Sequence, residues 1–180
     1  TKGVTAVFQD AGHILGSASI SLKLQEKGYK KHLWFSGDIG RRKLPILRDP
    51  VLPGEDVDIL LMEATYGDKP HRNPEEAYIE MRDIICRTLQ RGGKVIIPSF
   101  AVGRTQELVY NLSRMYNENG LPEVPVYVDS PLAVNASNVF RQHSECYDDE
   151  MKELVHSGHP ALEFKNLTYV KSLEESKALN

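Results

Sequence analysis

Apolar and polar residues alternate strictly from Ser19 to Leu24, with Ile20, Leu22 and Leu24 on one face and Ser19, Ser21 and Lys23 on the other. A period of two marks a half-buried strand. A short apolar run, Val4 to Gln9, precedes it. Gly28 turns the chain, and His32 to Ser36 returns it through Leu33, Trp34 and Phe35, so a hairpin with an aromatic second strand is predicted. A loop rich in Gly, Arg and Pro follows from Gly37 to Pro53. Val57 to Met62 is then a continuous apolar run, which reads as a strand buried on both faces.

Beyond Gly67 the period lengthens. Asn73 is placed to cap a helix with Pro74 at its first position and Glu75 and Glu76 in its first turn. Ala77, Met81, Ile84, Ile85 and Leu89 recur at helical spacing, and Gly92-Gly93 ends the run. The pattern then predicts a strand at Val95 to Pro98, a helix from about Arg104 to Asn119 ended by Gly120, and a strand at Val126 to Asp129. A helix opened by Pro131, another near Asp149 to His156, a strand at Leu167 to Val170 and a helical tail complete the chain. Strands alternating with helices imply βαβ units and a mostly parallel sheet. The expected organisation is a β-rich part over residues 1–67 and an α/β part over residues 68–180.

The 180 residues are 41% hydrophobic and 26% charged, normal for a folded domain, and carry a formal charge of −3. That balance argues against a generally basic coat for nucleic acid, while leaving room for a local basic cleft. No apolar run approaches the length of a membrane span and no signal peptide opens the chain, so no membrane partner is expected. Cys86 and Cys146 form neither a disulfide framework nor a metal-ligand pattern, which fits a reducing, cytoplasmic setting. The first residue is Thr1 rather than methionine, which suggests an excised piece or a trimmed chain.

Three loops next to strands concentrate the candidate chemistry: Asp10-Ala11-Gly12-His13-Ile14-Leu15-Gly16-Ser17-Ala18, Ser36-Gly37-Asp38-Ile39-Gly40 and Met62-Glu63-Ala64-Thr65-Tyr66-Gly67-Asp68. Taken alone, each is also ordinary turn chemistry. Together and in this order they resemble the metallo-β-lactamase fold in its β-CASP branch. The resemblance continues through Pro98-Ser99-Phe100-Ala101-Val102-Gly103-Arg104-Thr105-Gln106-Glu107-Leu108 and Asp129-Ser130-Pro131-Leu132-Ala133. It implies part of an αββα sandwich followed by part of a β-CASP α/β domain. It also implies zinc-dependent hydrolysis of RNA phosphodiester bonds, endonucleolytic, 5′-to-3′ exonucleolytic or both. The Ala-Gly-His-Ile-Leu-Gly-Ser form is similar to members related to the 3′-end cleavage factor.

The resemblance assigns His13 and Asp38 to the metals, Asp38 as the carboxylate bridging two zinc ions. It places Glu63 beyond the metals, orienting a histidine that protonates the leaving oxygen. Single-stranded RNA is expected in the cleft between the two parts. The family's His-x-His-x-Asp-His cluster should lie before Thr1 and two further histidine motifs after Asn180. The chain alone is therefore expected to bind zinc weakly or not at all and to have no useful hydrolytic rate.

Ser99, Gly103, Arg104 and Ser130 follow strands and precede helices, where backbone amides attract phosphates. They are candidates for holding the RNA backbone, with simple capping as the competing role of the two serines. Arg41, Arg42 and Lys43 either contact phosphates or form a charged surface loop. His32 is expected in a core or edge position, His71 in a solvated loop or the cleft, and His143, His156 and His159 away from any metal. Two other functions compete: a non-catalytic scaffold in an RNA-processing complex, which the retention of His13, Asp38 and Glu63 together disfavours, and an α/β nucleotide-binding module, for which Gly67-Asp68-Lys69-Pro70 is a poor glycine loop.

Overall fold

The structure, a computed structural model, describes residues 2–160 and 162–179. The chain divides into two compact units, one ending at His71 and the other beginning at Arg72.

The first unit is a four-stranded sheet in the order β1-β2-β3-β4, built from β1 (Val4–Asp10), β2 (Ala18–Glu26), β3 (Tyr29–Phe35) and β4 (Ile59–Leu61). β1, β2 and β3 are antiparallel, and β4 runs parallel to β3. The predicted hairpin closes with Glu26 opposite Tyr29. Its two turn residues, Lys27 and Gly28, both have positive φ (46° and 86°), the tight turn whose twist matches the flanking strands.

The alternation in β2 identifies two faces, and at Ser19 and Ser21, though not at the exposed Lys23, the structure buries the polar one. Ser19 and Ser21 are buried, whereas Ile20, Leu22 and Leu24 are half-buried. The serine face is satisfied by hydrogen bonds: Ser19 Oγ donates to the Ser36 carbonyl at 2.7 Å, and Ser21 Oγ pairs with His32 Nε2 at 2.8 Å. His32 is thus a core residue. Its Nδ1 lies 3.1 Å from Asp56 Oδ2, too poorly aligned for a hydrogen bond, while its backbone amide donates to Asp58 Oδ2 at 2.8 Å.

Two apolar runs depart from expectation. β4 was predicted to be buried on both faces, yet Ile59, Leu60 and Leu61 are each nearly half exposed. The run from Val95 to Pro98 forms no strand, and Ile96 is 87% exposed. A strand is defined by its ladder, and among the described residues this segment has none; β5 pairs with β6 instead.

In the second unit α1 (Pro74–Gln90) starts as predicted, Asn73 Oδ1 accepting from the Glu75 amide at 2.9 Å. It ends with the Gly92 and Gly93 amides bonded to the Leu89 and Thr88 carbonyls. α1 packs on α2 (Arg104–Asn117) through Tyr78, Ile85, Leu112, Met115 and Leu121. Then β5 (Val126–Asp129), α3 (Pro131–Gln142), α4 (Asp149–His156), β6 (Leu167–Val170) and α5 (Leu173–Lys177) follow, with β5 and β6 parallel. Helix α3 touches both strands, so β5-α3-β6 is a βαβ unit whose crossover also holds a short 3-10 helix (Ser144–Cys146) and α4. No described helix is long and apolar enough to cross a membrane.

Candidate functional site

The loop between β1 and β2 carries His13, and the loop after β3 carries Asp38. The Gly40 amide donates to the Ala11 carbonyl at 2.8 Å, tying the two together. Gly40 is required there: a Cβ at this position would drive into the Gly12 carbonyl and crowd the His13 amide nitrogen at 2.7 Å. His13's own loop is tightened by Ser17, whose Oγ accepts from the His13 and Ile14 amides at 3.1 and 3.2 Å.

Glu63 joins the third loop to the second. The Ile39 amide donates to its Oε1 at 2.7 Å, and its own amide donates to Ser36 Oγ at 3.1 Å. Thr65 Oγ1 donates to Oε2 at 2.7 Å. These donors, with the Thr65 amide, stabilise the ionised form. The Thr65 hydroxyl first, then the Ile39 amide, and last the nearby charge of His13 hold the Glu63 carboxyl below the usual carboxylate range. The His13, Asp38 and Glu63 loops are therefore bonded into one cluster, with Ile39 of the Asp38 loop gripped directly by Glu63. His13 and Asp38 are exposed, and no described residue makes a hydrogen bond or ion pair to the His13 ring or the Asp38 carboxylate.

An imidazole nitrogen and a carboxylate oxygen fit a zinc shell in kind. They do not close one: among the described residues there is no group of three or more His, Cys, Asp or Glu able to hold a metal. His13 and Asp38 are two groups of the right kind, fewer than the four that a zinc shell takes.

Beyond Glu63 the loop carries Tyr66, whose ring meets that of His71 at 4.7 Å between centroids, and His71 is exposed in its loop. Lys43 has a positive φ of 59° and its amide donates to Asp49 at 2.7 Å, so this part of the Arg41–Lys43 run belongs to an ordered turn.

In the second unit, Ser99, Gly103 and Arg104 share one turn. Ser99 Oγ pairs with Thr105 Oγ1 at 2.8 Å, Gly103 has φ of 81°, and Arg104 Nη1 bonds Glu107 Oε2 at 2.7 Å. Ser130 caps α3, accepting from the Ala133 amide at 3.2 Å. The capping role of Ser130 is thus realised, whereas Ser99 braces Thr105 rather than capping α2. Sequence reasoning passed over Gln106, which is completely buried and bonds this turn to α3. A glutamine three residues after the glycine that opens α2 is one half of a capping box, its side chain accepting from the cap amide, and that signal was available.

The model of the Beta-Casp domain matches residues 105–180. The chain is 37% identical over 177 residues to a ribonuclease of Thermus thermophilus, covering 98% of the chain and 39% of that protein. It is 33% identical to an RNase J-like protein of Methanocaldococcus jannaschii, covering 86% of the chain and 36% of the relative. Cleavage and polyadenylation specificity factor 73 of Drosophila melanogaster is 28% identical, with 96% of the chain and 25% of the relative covered. The chain thus spans about two fifths or less of the length of these relatives. Its residues 105–180 are those of a Beta-Casp domain, and nearly the whole chain is similar to part of these RNA-processing proteins.

Proposed function

We propose that the protein carrying this chain hydrolyses RNA phosphodiester bonds with the help of bound zinc. The observation that carries this reading is the hydrogen-bonded cluster of the His13, Asp38 and Glu63 loops in a chain whose relatives include a named ribonuclease. His13 and Asp38 would hold the metal. A bound metal pair supplies an activated water and neutralises charge on the phosphoryl oxygens.

The chain's own residues do the rest by positioning. Glu63 stays ionised and fixes Ile39, and so the backbone next to Asp38. The Thr65 hydroxyl and amide and the Ile39 amide leave part of the carboxylate's accepting capacity unused, and that part would orient a histidine as general acid at the leaving oxygen. In the second unit, Ser99, Gly103, Arg104 and Ser130 would hold the RNA backbone, with the Arg104 guanidinium on phosphate.

The test is cleavage of a labelled single-stranded RNA by the full-length protein. Chelation should abolish cleavage and added zinc should restore it. Cleavage that survives complete metal removal would contradict the proposal.

A further inference from the structure

Phe100 is 85% exposed, although its backbone carbonyl is anchored twice. Its carbonyl accepts from the Thr105 hydroxyl at 2.7 Å and from the Thr105 amide at 3.2 Å. Gln106 clamps the residues that follow. Its Oε1 accepts from the Gly103 amide at 2.7 Å, and its Nε2 donates to the Ala101 carbonyl at 3.1 Å and to Ser137 Oγ at 3.0 Å. Gln106 and Ser137 are both fully buried, so the bond between them is shielded from competing water. The loop's polar backbone is thereby drawn inward onto α2, while the Phe100 ring and the Arg104 side chain, which is 57% exposed, are left outside.

A rigid loop that displays an aromatic ring together with a guanidinium has the makings of a single-strand subsite: a π-face for a base and a cation for the phosphate. We propose that Phe100 stacks on a nucleobase of single-stranded RNA and that Gln106 is the positioning residue that holds Phe100 in place. This rests on the RNA reading above and extends it from the backbone to a base. A preformed loop loses little conformational entropy on binding, which is the advantage of spending buried hydrogen bonds on it.

The test is affinity of the full-length, metal-loaded protein for adenylate and uridylate dodecamers under non-cleaving conditions. Phe100→Ala should weaken binding about tenfold or more, as base–aromatic stacking predicts. The loss should be larger for adenylate, and Phe100→Trp should restore affinity. Gln106→Leu should weaken binding too, and much of that loss should vanish in the Phe100→Ala background, because the two act through one ring. Arg104→Ala separates the two layers: it should weaken binding to both oligonucleotides and lower the salt slope. Binding weakened by Arg104→Ala but unchanged by Phe100→Ala overturns the stacking role alone. Losses from Gln106→Leu and Phe100→Ala that add in full overturn the positioning role. A wild-type protein that binds neither oligonucleotide overturns the RNA reading itself.

Discussion

Gly40 has no room for a side chain, because its α-carbon sits against the Gly12 carbonyl and the His13 amide. Alanine there would push the Asp38 loop off the His13 loop and break the bond from the Gly40 amide to the Ala11 carbonyl. Gly40→Ala should therefore cost about 1–3 kcal/mol, the usual range for overpacking, in a urea denaturation of the full-length protein. It should weaken zinc binding in parallel, and a variant of wild-type stability and metal content would show that the two loops are not rigidly coupled. Residue types at His13, Asp38 and Glu63 were legible as a candidate set from order and flanking glycines. The grip of Glu63 on Ile39 was not, because the two are 24 positions apart and a backbone amide leaves no mark in the sequence.

At the scale of elements, the clasp between α1 and α2 combines charge with burial. Arg114 lies 4.1 Å from the Tyr78 ring centroid, bonds Glu75 through both terminal nitrogens and bonds Glu118 at 2.9 Å. Tyr78 Oη donates to Glu118 at 2.7 Å. Burial, then the Glu118 carboxylate, push the Tyr78 hydroxyl up from 10.0 to about 12. The folded state thus keeps this proton where the unfolded chain has lost it. Its contribution is complete below about pH 10 and disappears as pH rises through about 12. Tyr78→Phe should cost about 1 kcal/mol near pH 8 through the lost hydrogen bond, and the gap to wild type should narrow in denaturation curves taken at rising alkaline pH. A gap that stays constant to pH 12 would remove Tyr78 from the linkage. Most element positions were readable, from Asn73-Pro74 at the start of α1 to the limits of β5, α4 and β6, because caps and periodicity are local signals. Strand pairing is not local, and so Val95 to Pro98 carried a strand's composition without a strand's partner.

For the molecule as a whole, periodicity reports which positions are apolar and leaves open what covers them. The serine face of β2 is buried because Ser36 and His32 satisfy its hydroxyls, while β4, with the stronger hydrophobic run, stays exposed. The same principle governs the site. The chain provides one imidazole and two carboxylates in loops that are bonded together, and a metal needs more donors than these. The division of labour among those three side chains is the core of the account, and metal content measured alongside turnover tests it most directly. In the full-length protein, Asp38→Ala should lose zinc and RNA cleavage together. Glu63→Gln, which can still accept from the Ile39 amide, should keep its zinc and lower kcat by about 10²–10⁴-fold. Equal loss of metal in both variants, or full metal and full turnover in Asp38→Ala, would contradict it.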